Sequence, residues 1–143
     1  MAADFTLLNE PLSPVEPRIG RLTTSHGDIL TPAFNPVATQ ATVKAISSHE
    51  LENIGVSTLI ANSYHLLMRP GIDLIEELGG LHSFMNWMHP IATDSGGFQI
   101  FSLGHMLRVD DDRLTFKSHI DGSLHSLSPE ESVDNQERLG VDL

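Results

Sequence analysis

The strongest constraint on the fold is an alternation of short apolar runs with helix signals from residue 47 onward. Residues 47–50 fit a helix capping box, and residues 72–78 repeat apolar side chains at helical spacing. Residues 56–61 and 91–93 are short, apolar and partly β-branched, which is typical of buried strands. Residues 128–140 open with a capping box and end at a glycine, which predicts another helix. Strands that alternate with helices predict an α/β fold built on a parallel sheet.

Two stretches depart from this alternation and predict antiparallel β structure. Residues 18–23 and 28–30 are strand-like and flank a short turn, so we expect a small antiparallel element there. Between residues 106 and 127, strand-like runs flank the turn signal Asp121-Gly122, which predicts a β-hairpin insertion in the α/β pattern. Residues 141–143 read as the first residues of another strand, so we expect a parallel sheet that is left unfinished.

The N-terminal segment differs from the rest of the chain. Residues 1–17 contain three prolines and few periodic apolar positions, so we expect an irregular segment there. We expect residues 18–143 to form one incomplete domain, the N-terminal part of a larger fold.

Composition restricts the class of protein. The chain has 143 residues, of which 40% are hydrophobic and 19% charged, as in a soluble globular domain. No run approaches the roughly 18 consecutive apolar residues of a membrane span, and a cytoplasmic protein is the simplest interpretation. Without cysteine there is no disulfide and no thiolate metal site. The net charge of −11 argues against binding nucleic acid through this segment alone.

The densest group of chemically useful side chains follows the predicted strand 91–93. Asp94, Ser95, two glycines and Phe98 stand where a strand ends, which is where parallel α/β folds place ligand sites. Two glycines let a planar ligand approach the backbone, Phe98 could stack on it, and Asp94 could act as a base. The alternative is a glycine turn capped by Asp94, with Phe98 packed in the core.

Two further strand ends carry polar residues. Asn62 follows the predicted strand 56–61 and could share a cleft with Asp94. Val37 ends the first strand of the predicted core. Taken singly, Asn62 is better explained as a turn former, and the loop after Val37 as an ordinary solvated loop.

Metal binding by this segment is not expected. The chain has eight histidines, but none pairs with another at a four-residue spacing beside an acid. The run 110–112 consists of three successive aspartates, which lack the alternating ligand spacing of a calcium loop. A solvated loop is the better interpretation of that run.

Many segments, in their order and spacing, resemble the tRNA-guanine transglycosylase (queuine tRNA-ribosyltransferase) family. The resemblance covers almost the whole chain from residue 18 onward and is strongest for the queuine branch of the family. The matching segments are His26-Gly27, Thr31-Pro32-Ala33-Phe34, residues 36–44, Asn62-Ser63-Tyr64-His65-Leu66, Arg69-Pro70-Gly71, residues 79–82, Thr93-Asp94-Ser95-Gly96-Gly97-Phe98-Gln99, Ser102-Leu103, Asp121-Gly122 and Ser128-Pro129-Glu130.

The resemblance implies a fold and a reaction. The fold is a TIM-like (β/α)8 barrel, of which this chain is the N-terminal part, and full-length members also carry a structural Zn²⁺ whose ligands lie outside this chain. Family members exchange guanine at the tRNA wobble position (34) for queuine or its 7-deazaguanine precursor, in tRNA with a GUN anticodon. The exchange is a double displacement that parallels a retaining glycosidase. A homodimer is expected for the full-length protein.

The resemblance also implies roles for particular residues. Asp94 matches the catalytic residue that handles the base proton. Asn62 and Val37 match positions around the target ribose. The base-recognition turn is matched by Ser95, Gly96, Gly97 and Phe98, with Phe98 stacking on the base.

The chain lacks other parts that the family implies. The nucleophilic aspartate, the zinc ligands and most of the basic tRNA-binding surface are expected beyond residue 143, so we expect the chain alone to be inactive. Two alternatives are a non-catalytic accessory subunit of a heterodimeric transglycosylase and a genuinely short chain with a binding role. The intact turn at Asp94 favours an active transferase, and an open sheet edge argues against a short autonomous chain.

Overall fold

The computed structural model describes residues 3–10, 13, 15–103 and 105–143, and shows an α/β arrangement of three sheets and six helices within them. In chain order the elements are β1 (Asp4–Leu7), β2 (Gly20–Thr24), β3 (Gly27–Thr31), α1 (Ser48–Asn53), β4 (Leu59–Ala61), α2 (Ser63–Met68), α3 (Ile72–Glu77), α4 (Gly80–Met85), β5 (Ile91–Thr93), α5 (Gly97–Leu103), β6 (His105–Val109), β7 (Leu114–Lys117), β8 (Leu124–Leu127) and α6 (Pro129–Leu139).

The first sheet is antiparallel, in the order β1-β2-β3. β2 and β3 pair across the predicted turn, with Thr24 opposite Gly27. β1 pairs with β2 and lies inside the segment 1–17, for which the sequence predicted irregular structure. That prediction was wrong for Asp4–Leu7. The three prolines all follow this strand, so they do not interrupt its hydrogen bonds.

The central sheet is parallel and follows chain order. β4 pairs with β5, and Val37 forms a parallel bridge with Ile60 on the other side of β4. Beyond β5, the Asp142 amide donates to the Ile91 carbonyl and the Thr93 amide to the Leu143 carbonyl, each at 2.9 Å. The last residues therefore add a further row to the sheet, as predicted for residues 141–143.

Helices cover this sheet and form the main core. α1 and α6 begin with the capping boxes predicted from sequence, in which Ser47 and Ser128 accept from the backbone amides of Glu50 and Glu131. The buried side chains of this core are Leu51, Leu59, Leu66, Ile72, Ile75, Leu81, Trp87, Ile91 and Leu139, with Ala38, Ala61 and Met85. No helix in the described part of the chain is long and apolar enough to cross a membrane.

The third sheet, β6-β7-β8, is antiparallel and lies between α5 and α6 in the chain. A second, smaller core of Tyr64, Ile100, Phe116 and Leu127 joins it to α2 and α5. The aspartates 110–112 are exposed in the β6–β7 loop. This sheet is therefore fixed to the same helices that follow β4 and β5.

Two helices were missed by the sequence patterns. α2 begins after Asn62, which follows β4, and α5 begins after residues 94–96, which follow β5. The sequence patterns at these connections indicated turns. Each helix is short, at six and seven residues, so its apolar period is hard to distinguish from a loop. Their positions matter because their first turns border the candidate site.

Candidate active site

The carboxyl ends of β4 and β5 lie side by side. Ala61 is in register with Thr93, so the next residue of each strand, Asn62 and Asp94, become neighbours. The Asn62 side-chain amide donates to Asp94 Oδ2 at 2.6 Å. The structure thus brings together two of the residues singled out at separate strand ends.

The Asp94 carboxylate is oriented by donors from three directions. Oδ1 accepts from the backbone amides of Ser63, at 3.1 Å, and Gly96, at 3.2 Å. Oδ2 accepts from Asn62 and from the Gln99 side chain, at 2.7 Å. Asp94 itself is half-buried. A carboxylate held by α2, by its own turn and by α5 has little freedom to rotate.

Gly96 lets this turn sit against the first turn of α2. Its φ is +77°, in the left-handed region that favours glycine. A Cβ at this position would lie 3.0 Å from both Ser63 Oγ and the Tyr64 backbone nitrogen. The close approach that the sequence analysis assigned to a planar ligand is here made by the protein's own helix.

The other predicted site residues lie at the surface. Phe98 is 75% exposed, so the alternative in which its ring packs in the core is wrong. Ser95 is exposed and its Oγ accepts from the Gly97 amide at 3.4 Å. Val37 is 53% exposed at its bridge with Ile60. These side chains are accessible to a ligand.

An aromatic and histidine cluster lies next to the site on α2. The Tyr64 hydroxyl is 2.7 Å from His119 Nδ1, and the His65 ring meets the His119 ring edge-on at 5.7 Å. Burial raises the pKa of Tyr64. Burial, and then the nearby His119, lower the pKa of His65, although Asp94 acts in the opposite direction. The lowered pKa favours the neutral form of His65 beside Asp94.

A cavity of about 390 Å³ lies between the turn, α6 and the third sheet. Ser95 and Gly97 border it, whereas Asp94, Phe98, Asn62 and Val37 are not among its lining residues. The remaining walls come from Asp110, Asp111, Asp112, Arg113, Leu114, Leu127, Ser128, Pro129, Ser132, Val133 and Gln136. The space is thus on the α6 side of the turn and separate from the Asp94 carboxylate.

At the opposite, amino end of the parallel strands, His26, His82 and Asp142 form a clamp. The Asp142 side chain is fully buried, and its two oxygens lie 2.9 Å from His26 Nδ1 and 3.2 Å from His82 Nε2. The backbone amides of His26 and Ile91 also donate to it, at 3.2 and 3.0 Å. Because a carboxylate only accepts, both ring nitrogens carry protons. The clamp ties the β2–β3 turn and α4 to the central sheet.

The clamp was not predicted from the histidine spacings, and its geometry favours hydrogen bonding over metal binding. The three ligand-type atoms lie within 4.8 Å of one another. The two imidazole rings, however, are stacked at 3.6 Å with an interplanar angle of 15°. A metal binds imidazole in the ring plane, so one ion cannot serve both rings.

Acid is expected to destabilise the chain through this clamp. Burial, and then the neighbouring His26, lower the pKa of His82. Burial alone raises the pKa of Asp142, but hydrogen bonds from His26 and Ile91 outweigh it, and the net pKa is lowered. Groups whose pKa falls on folding stabilise the fold above their unfolded values, about 6.5 for histidine and 3.9 for aspartate. Stability should therefore decline as pH falls below about 6.5, first through His82.

Urea unfolding at several pH values between about 7.5 and 5 measures this decline. His82→Gln removes the titrating ring, so its free energy of unfolding should vary less with pH than that of the unsubstituted chain. His49→Gln is the matched control, because the His49 side chain is 81% exposed. An equal pH dependence for His82→Gln and the unsubstituted chain would show that the clamp does not titrate as described.

Gln99 and Ser63 were not predicted as site residues from the sequence. Both hold Asp94, one through its side chain and one through its backbone amide. Gln99 stands five residues after Asp94, and only recognition of α5 could have indicated that its side chain turns back toward the carboxylate. A backbone amide donor such as that of Ser63 cannot be predicted from the residue type.

The sequence of this chain is similar to that of known proteins over nearly its whole length. Residues 14–143 match the family model described as queuine tRNA-ribosyltransferase. The queuine tRNA-ribosyltransferase of Moorella thermoacetica is 53% identical over 142 residues, which are 99% of this chain and 38% of that protein. That of Halothermothrix orenii is 50% identical over 143 residues, 100% of this chain and 38% of that protein.

The match covers nearly all of this chain but only part of each relative. The queuine tRNA-ribosyltransferase of Herpetosiphon aurantiacus is 55% identical over 128 residues, 90% of this chain but 33% of that protein. The chain thus spans 33% to 38% of the length of these relatives. With a family model that matches nearly all of it, the chain belongs to the queuine tRNA-ribosyltransferase family.

Proposed function

We propose that this chain supplies the acid/base half of a base-exchange site in a tRNA-guanine transglycosylase. The complete polypeptide exchanges guanine at the tRNA wobble position for queuine or its 7-deazaguanine precursor. The observation that carries the proposal is the Asp94 carboxylate, oriented at adjoining strand ends by Asn62 and Gln99 at 2.6 and 2.7 Å. Exposed Phe98 on the same turn supports stacking of a base.

The reaction proceeds by two displacements. A carboxylate nucleophile, carried by a part of the polypeptide outside these residues, attacks the ribose anomeric carbon, and the bond to the guanine nitrogen breaks. Asp94 donates a proton to the departing guanine nitrogen, and the resulting carboxylate takes a proton from the incoming base. The incoming nitrogen then displaces the nucleophile from the same carbon. Configuration at the ribose is retained because it inverts twice.

The turn and the neighbouring strand ends divide recognition between them. Ser95, Gly96, Gly97 and Phe98 form the base-recognition turn, and Asn62 and Val37 line the pocket for the ribose. The ordered Asp94 carboxylate supports this division because its position is fixed before any base arrives, which reduces the cost of ordering the site on binding.

The same proposal covers the rest of the polypeptide. Residues 18–143 are the incomplete N-terminal part of a TIM-like (β/α)8 barrel domain, in which the small antiparallel sheet precedes the barrel strands. The parallel order of Val37, β4, β5 and residues 142–143 supports a barrel, since such strands follow chain order. A structural zinc, a tRNA-binding surface and a homodimer interface belong to the remainder, in a cytoplasmic protein.

Incorporation of labelled guanine into tRNA tests the proposal. The complete polypeptide should label tRNA with a GUN anticodon and leave the same tRNA with a different wobble base unlabelled. The 143-residue chain alone should incorporate none, because it holds no nucleophile for the ribose. Labelling by the short chain, or equal labelling of both tRNAs by the complete polypeptide, would refute the proposed division of the site.

A further inference from the structure

Two side chains of α6 hold the backbone of the Asp94 turn. The Gln136 amide nitrogen lies 3.3 Å from the carbonyl oxygens of Thr93 and Asp94, and 3.0 Å from Thr93 Oγ1. The Ser132 hydroxyl donates to the Ser95 carbonyl at 3.0 Å. Gln136 and Ser132 are four residues apart and so lie on one face of the helix. Three successive carbonyls are thus bound by a single helix.

These contacts complement those of the carboxylate. The carbonyls of residues 93–95 bind α6, whereas the Asp94 side chain binds α2 and α5. The amides of Thr93 and Asp94 bond to the carbonyls of Leu143 and Ala61 in the sheet, and their carbonyls bond to α6. α6 and the sheet together therefore fix the direction in which the Asp94 side chain leaves the backbone. Ser132 is buried, which protects its hydrogen bond from competition by water.

Packing alone does not hold the turn on this side. The cavity of about 390 Å³ has Ser95 and Gly97 on one wall and Ser132 and Gln136 on another. Side chains that face open space give no steric resistance to movement of the turn. The hydrogen bonds from Gln136 and Ser132 therefore restrain the Asp94 turn, as close packing restrains other parts of the fold.

We propose that Gln136 and Ser132 are positioning residues for Asp94. The role rests on the proposed function, because it assigns them a part in base exchange through Asp94, without contact with the base. The competing interpretation is that they stabilise the fold generally. If they are positioning residues, their substitution loosens the Asp94 turn alone. If they stabilise the fold generally, it loosens the whole central sheet.

Amide hydrogen exchange of the 143-residue chain separates them. The Ser63 and Gly96 amides, which donate to Asp94, report on the position of the carboxylate. The Ala38 and Ile60 amides, which bond within the parallel sheet, report on the fold as a whole. In Gln136→Met, protection at Ser63 and Gly96 should fall about tenfold, as for the loss of one or two hydrogen bonds, with Ala38 and Ile60 unchanged.

Gln136→Glu sharpens the test. Its side chain matches glutamine in size but offers no donor, and it places oxygens against three acceptors. It should lower protection at Gly96 more than Gln136→Met does, although a packing role predicts a smaller effect for the closer match in shape. Asp134→Asn, exposed on the same helix, is the control and should change none of the four amides.

The complete polypeptide gives the second readout. Gln136→Met should lower kcat for guanine exchange about 10- to 100-fold, the cost of a small misplacement of a catalytic group, with tRNA affinity and KM for the base nearly unchanged. Uniform loss of protection, unchanged protection at Gly96, or an unchanged kcat each overturns the positioning role. If the unsubstituted polypeptide exchanges no base while the amides respond as described, the proposed function fails and the restraint on Asp94 stands.

Discussion

Asp94→Asn in the complete polypeptide is expected to lower guanine exchange by about 10²- to 10⁴-fold, the usual contribution of a positioned acid or base. Asparagine cannot take up or release the base proton at neutral pH. Its amide would also direct a donor at one of the groups that now donate to the carboxylate, Asn62 and Gln99 on one oxygen or Ser63 and Gly96 on the other. Labelled guanine incorporation under single-turnover conditions measures the loss.

The effect should be confined to chemistry. Affinity for tRNA should change little, because one half-buried carboxylate contributes little to binding a polyanion. Asp111→Asn removes the same charge from an exposed loop residue and should leave exchange intact. Exchange by Asp94→Asn within a few-fold of the unsubstituted rate would remove Asp94 from the acid/base role, and a parallel loss of tRNA binding would indicate a disrupted fold.

Gly96→Ala is expected to reduce the free energy of unfolding by about 3 kcal/mol. The left-handed backbone at φ +77° accounts for about 1–2 kcal/mol of this once a Cβ is present. The new Cβ would also lie 3.0 Å from the Tyr64 backbone nitrogen, and displacement of that backbone adds about 1–2 kcal/mol. Urea unfolding of the 143-residue chain measures the sum.

Gly122→Ala isolates the contribution of backbone conformation, so its difference from Gly96→Ala gives the contribution of the contact with α2. Gly122 has a nearly identical φ of +74°, but a Cβ there meets nothing within 4 Å. Its loss should therefore be about 1–2 kcal/mol, from backbone conformation alone. If the two variants are equally destabilised, the turn does not press against α2 as the structure indicates. In the complete polypeptide, Gly96→Ala should in addition slow exchange, since its turn carries Asp94.

Local patterns were sufficient where the chain itself fixes the structure. The capping boxes at Ser47 and Ser128 placed the starts of two helices, because both partners of each box are near in sequence. Strand β5 was placed at its observed bounds, 91–93. The proximity of Asn62 and Asp94 also followed from sequence, since the carboxyl ends of neighbouring parallel strands meet at one edge of a sheet.

Long-range contacts could not be read in the same way. Gln136 reaches a turn 42 residues earlier, and nothing in its type or neighbours indicates which carbonyls it will meet. The clamp joins His26 to Asp142 across 116 residues, so no spacing rule applies to it. Strand β1 was missed because a four-residue run can be stabilised by its partner strand without a distinct pattern of its own.

The wide separation of the clamp residues has a consequence for synthesis on the ribosome. Translation proceeds from the N-terminus, so the β2–β3 hairpin emerges long before Asp142 has been made. Until then His26 and His82 have no carboxylate to hold them, and the N-terminal sheet has no anchor at this point on the central strands. We therefore expect nascent chains arrested before residue 142 to leave the hairpin open to proteases, and chains arrested well after it to protect it.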